Sequence, residues 1–185
     1  MTHGIRTVRS AALLLGVLVV GCAEPAQPAQ LTAVDQLIFA TDGATLTLNE
    51  LDRERYDRSD SMFAFQQPLF TDRFTDTLNP VAAQALGSQY ISLRASANMG
   101  RDHVRVLDEL ITTSARLRIL RKRLADGTMD RNDGATAIAA EQQHHTAVIV
   151  GVHVIMDNYR QLQRAWDRRD TVNTLLALGQ QPTMP

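Results

Sequence analysis

From Leu31 onward the apolar positions recur at steps of three and four, the period of a helix with one buried face. Val34, Leu37, Ile38, Thr41, Thr45, Leu48, Leu51 and Arg55 predict a helix over about 31–56. Gly43 and the nearby threonines weaken its middle. Over 57–78 the period fails: the stretch is polar at first, then carries Phe63, Phe65, Phe70 and Phe74 around Pro68. It is expected to be irregular and to fold its apolar load over a bundle end; an exposed partner-binding patch on these four rings is the alternative.

Asn79-Pro80 opens the strongest pattern, Asn as N-cap and Pro as first helical residue. Leu86, Tyr90, Leu93, Ala97, Gly100, Val104, Leu107, Ile111 and Ser114 form one stripe. It drifts to a neighbouring one, Val106, Leu110, Thr113, Leu117, Leu120 and Leu124. Together they predict one helix over 80–125, about 69 Å long at 1.5 Å per residue. Asp126-Gly127 and Asn132-Asp133-Gly134 bracket a polar turn. A third helix is expected over 134–178, with the seam Ile138, Glu141, His145, Val148, Val152, Ile155, Tyr159, Leu162 and Trp166. A short connection and matching stripes imply a long antiparallel hairpin within a three- or four-helix bundle, an all-α fold. Residues 179–185 are a tail.

The first 21 residues read differently. Arg6 and Arg9 precede the apolar run Ala11–Val20, which is too short to span a bilayer and has the form of a cleaved export signal. Val19-Val20-Gly21-Cys22 resembles the lipobox of bacterial lipoproteins. That resemblance implies cleavage before Cys22, lipidation of its sulfur, an acylated new N-terminus and a partner in the membrane itself. It places the chain in the cell envelope, and Ala23 after the cysteine points to outer-membrane sorting, facing the periplasm or the cell surface. Residues 22–30, with Pro25 and Pro28, would be an extended tether.

Composition narrows the chemistry. A single cysteine among 185 residues excludes an internal disulfide, a Cys-rich zinc site and a C-x-x-C redox pair. Net charge is −1; removing residues 1–21 takes two arginines and no acid, leaving 17 basic against 20 acidic groups and a charge of −3. No strongly basic surface for nucleic acid follows from that balance. No phosphate-binding Gly-rich loop or nucleophile elbow occurs, so no cofactor or enzymatic activity is expected.

Glu141-x-x-His144 has the spacing of half a di-iron carboxylate site, but none of the other glutamates (24, 50, 54, 109) has a histidine three residues on. Folding the hairpin near residue 130 puts Glu141 opposite about Arg118, within the cluster Arg116, Arg118, Arg121, Lys122 and Arg123. An interhelical ion pair fixing register is the simpler expectation. The same fold puts His103 level with Met99, His153, Met156 and Asp157, a mixture of imidazole, thioether and carboxylate that would suit copper or zinc. His145 completes the candidate metal set of Glu141, His144, His145, His103 and His153. The leading expectation is a non-enzymatic interaction or scaffold lipoprotein that binds another envelope protein. A metal- or small-ligand-binding bundle is the alternative.

Overall fold

The computed structural model describes residues 27–74 and 78–178. The export signal, Cys22, the first part of the tether, residues 75–77 and the tail 179–185 lie outside them. The described residues form six helices and no strand: α1 Pro28–Asn49, α2 Glu54–Arg73, α3 Pro80–Ser96, α4 Met99–Ala125, α5 Arg131–Asp167 and α6 Arg169–Leu178. The chain is an all-α bundle, and the six helices make three broken rods, α1–α2, α3–α4 and α5–α6.

The first and third rods run parallel. Gln30 Nε2 donates to the Arg131 carbonyl at 2.8 Å at one end, and Gln66 Nε2 donates to Asn173 Oδ1 at 2.8 Å at the other. The middle rod runs against both. Asp35 meets Arg121 and Asp42 meets Arg118 across α1–α4, and Arg116 meets Glu141 across α4–α5. The long hairpin is therefore present, with α1 lying along it.

Local sequence accounts for the ends. Asn79 Oδ1 accepts from Ala82 N at 2.9 Å, with Pro80 in the first helical position. Asp130 Oδ1 accepts from Asn132 N and Asp133 N, so α5 begins at Arg131 rather than at 134. The α4–α5 turn closes with a Schellman pair, Thr128 N to Arg123 O and Gly127 N to Leu124 O. Gly127 holds φ 65°, a left-handed conformation that costs glycine nothing. Gly134 lets α5 approach α4 closely: a Cβ there would sit 2.7 Å from Leu124 Cδ2.

Several expected elements differ, the first being the helix expected over 31–56, which runs Pro28–Asn49 and breaks before α2 opens at Glu54. The Phe-rich stretch is not irregular but mostly helix α2. Its seam is Tyr56, Ser59, Phe63, Gln66 and Phe70, at steps of three and four. Two of those five positions are polar, which hides the period from a hydrophobic scan. Pro68 lies inside α2 on its exposed side, removing only the bond that Ala64 O would have accepted.

The expected single helix over 80–125 is broken at Ala97-Asn98. Its buried seam runs through 86, 89, 93, 96, 99, 103, 106, 110, 113, 117, 120 and 124, with 82, 92 and 114 buried beside it. Steps of three and four alternate except where 93, 96 and 99 place two threes together. A straight helix would swing its apolar stripe off the seam there, and the break resets it. Hence the stripe through Val104 and Ile111 continues onto an exposed face, and the one through Val106 and Leu110 is core. The third rod likewise breaks at Arg168, between α5 and α6. The tether is shorter than nine residues, because Pro28, Ala29 and Gln30 already form the first turn of α1.

The core comprises four apolar clusters strung along the rods. Val34, Leu117, Leu124 and Ile138 form the first; Leu48, Val106, Leu110 and Val152 the second. Tyr56, Leu93, Met99 and Leu162 form the third; Phe70, Leu86, Val172 and Leu176 the fourth. Polar residues separate them: Thr41, Thr113 and Ser114 between the first pair, Ser59, Gln66, Gln89 and Ser92 between the last. Such layers reward one register, because a slipped rod would bury their polar atoms against methyl groups.

Candidate functional site

His103 lies where the first two rods break. It is fully buried, and its Nδ1 is 2.9 Å from Tyr56 Oη. Tyr159 packs edge-on to Tyr56, and its hydroxyl accepts from Asp52 N at 3.3 Å. Burial, helped by the neighbouring Tyr159, pushes the Tyr56 hydroxyl up to about 12. Burial, with Arg53 nearby, holds the His103 imidazole below its ordinary value of 6.5. Both groups stay neutral at pH 7, joining the rods by a hydrogen bond without a buried charge.

Glu141 faces arginine as expected, but its partner is Arg116, not Arg118. The guanidinium grips both carboxylate oxygens, at 3.0 and 3.1 Å, and the pairing raises the Arg116 pKa. Arg118 turns to α1 instead, pairing with Asp42, whose other oxygen accepts from Ser114 at 2.7 Å. Glu141 is thus committed to a register-fixing pair. His144 Nε2 stands 4.0 Å from Glu109 Oε1, and His145 is half-buried on the inner side of α5. Burial and the adjacent His144 lower the His145 pKa.

The expected level of His103, Met99, His153, Met156 and Asp157 separates into two places. His103 and Met99 point into the core, while His153, Met156 and Asp157 line a cleft of about 420 Å³ between α1 and α5. Among the described residues no three of His, Cys, Asp and Glu converge on one point that could hold a metal.

The four phenylalanines also divide. Phe70 is fully buried; Phe63 is half-buried against Tyr90, with ring centroids 5.7 Å apart. Phe74 is about half exposed but stacks on Phe70 and meets Tyr90 edge-on. Phe65 is 70% exposed. With Ala64, Pro68 and Leu69 of α2 and Leu176 and Ala177 of α6, it lines an open apolar groove of about 760 Å³ whose one polar wall is Asn173. This groove lies at the end of the molecule opposite the N-terminus of α1. Of the four rings expected to cover a bundle end, only Phe70 is fully buried, and α6 supplies the second wall of the groove beside Phe65.

Among the described residues no helix is long and apolar enough to cross a membrane. Compared with protein-family models, curated proteins and solved structures, the chain matches none. Fold and site together define the class as an elongated all-α bundle with register-fixing polar layers and an apolar groove at one end.

Proposed function

We propose that the chain is a lipid-anchored envelope lipoprotein, held by Cys22, that engages another envelope protein through the α2–α6 groove. The observation that carries this reading is the placement of the groove. Phe65 lies 37 residues along the first rod from Pro28, about 55 Å at helical rise. A protein tethered just before Pro28 would hold its exposed aromatic groove well clear of the membrane. An exposed ring beside a concave apolar surface is the kind of anchor that interface hot spots use.

The anchor and the groove are tested separately. Cys22→Ser should move the protein out of the membrane fraction and abolish acyl labelling; retention in the membrane would end the lipid reading. A photo-crosslinking residue at position 65, in cells, should yield one discrete heterologous adduct that a glutamate at the exposed groove residue Ala177 (Ala177→Glu) eliminates. An adduct insensitive to Ala177→Glu, or none, would end the groove reading.

A further inference from the structure

We propose that His153 and Met156 form a binding site for one soft monovalent cation, Cu(I) or Ag(I). The two residues are one helical turn apart on α5, the spacing at which side chains meet on one face. Both line the cleft between α1 and α5. His153 is exposed, so a ligand can reach the imidazole, while Met156 is half-buried against the second apolar cluster. A thioether is a poor ligand for hard, strongly hydrated cations and a good one for Cu(I) and Ag(I), which also take imidazole.

The surroundings favour the same ions. Ala44, Ile149 and Val152 supply an apolar wall, with Ala44 small enough to leave the cleft open. Thr47, also on the cleft wall, has its hydroxyl hydrogen engaged by Gly43 O at 3.0 Å. Asp157 and Arg160 pair with each other at 2.9 Å, so the cationic Arg160 beside the site is neutralised and the carboxylate is engaged. With no third His, Cys, Asp or Glu converging among the described residues, the nitrogen–sulfur pair selects against Zn(II), which needs three or four such ligands. The inference is independent of the lipoprotein and groove readings and stands if either fails.

The test uses the full chain with Cys22→Ser, which removes the sole thiol, and with ¹³C-methyl-labelled methionine. Ag(I) nitrate should shift the Met156 methyl resonance to saturation at one equivalent, leaving the methyls of the other five methionines in place. His153→Ala should weaken binding at least tenfold, His153→Met should largely preserve it, and equimolar Zn(II) should produce no shift. Two outcomes would overturn the proposal: a Met156 methyl that Ag(I) does not move, or one that moves equally in the His153→Ala protein. Since His153 is exposed, its replacement leaves the packing intact and either result is readable.

Discussion

Trp166 Nε1 donates to Ser59 Oγ at 2.8 Å, joining residues 107 apart in sequence. The same separation recurs one heptad earlier, where Asp52 N meets Tyr159 Oη, and one heptad later, where Gln66 meets Asn173. Three hydrogen bonds at seven-residue intervals therefore set the register of the first rod on the third. Such a ladder is what two parallel helices on a common seam produce. It also explains why serine and glutamine occupy seam positions of α2.

Ser59→Ala should therefore destabilise the protein by about 1–2 kcal/mol, because it leaves the indole N–H without its partner. Urea unfolding followed by tryptophan fluorescence measures this directly, since Trp166 is the only tryptophan. A change below about 0.3 kcal/mol would show that the ladder does not hold the register.

Acidification should weaken the fold through His103 and His145. Both have folded pKa values below 6.5, chiefly through burial. As pH falls below 6.5 the unfolded chain takes up protons that the folded chain refuses, so stability is intact above that value and declines below it. The limiting slope for each group is about 1.4 kcal/mol per pH unit. Urea midpoints measured from pH 7.5 to 5 should fall, and His103→Leu should flatten part of the decline. An unchanged slope in that variant would remove His103 as a cause.

Gly43 occupies the interior of α1, where an added Cβ meets nothing within 4 Å. Gly43→Ala should raise stability by roughly 1 kcal/mol through helix propensity alone. Thermal melts followed by circular dichroism would show it as a rise in Tm of several degrees; a fall in Tm would contradict the open surroundings.

Phe70 and Phe65 should respond oppositely to truncation. Phe70→Ala empties a fully buried site in the fourth cluster and should cost about 3–5 kcal/mol. Phe65→Ser removes a ring that is mostly in solvent and should stay within about 0.5 kcal/mol of the parent. Denaturant midpoints of the two variants separate core from surface within one helix.

Much of the fold was legible in the chain because α4 and α5 carry long, mostly apolar seams and recognisable stops. The caps at Asn79 and the glycine turn at Gly127 were readable as local chemistry. The helical nature of α2 was not, because Ser59 and Gln66 interrupt its apolar count and look like loop residues until Trp166 and Asn173 stand opposite them. The break at Ala97-Asn98 was hidden for a related reason: Ser96 and His103 are seam residues, and a scan that weights only apolar side chains follows Val104 and Ile111 outward instead. For the candidate sites, the ion pair at Glu141 was foreseeable from the hairpin, though the partner was two residues off. The separation of His103 and Met99 from His153, Met156 and Asp157 was not, since small errors in register and in helix rotation decide whether a side chain points inward or outward.

By itself, then, the sequence determined that the protein is helical, where the long hairpin turns, and that its one cysteine follows a short apolar run. Each of those depends on short-range patterning, on caps, periods and turns within a few residues. The tertiary structure alone decided which polar residues are interior, that His103 is locked to Tyr56, and that α6 makes a groove with Phe65. These depend on contacts between residues roughly 50 to 110 positions apart, where the packing of one rod on another sets the environment and no local pattern carries the information.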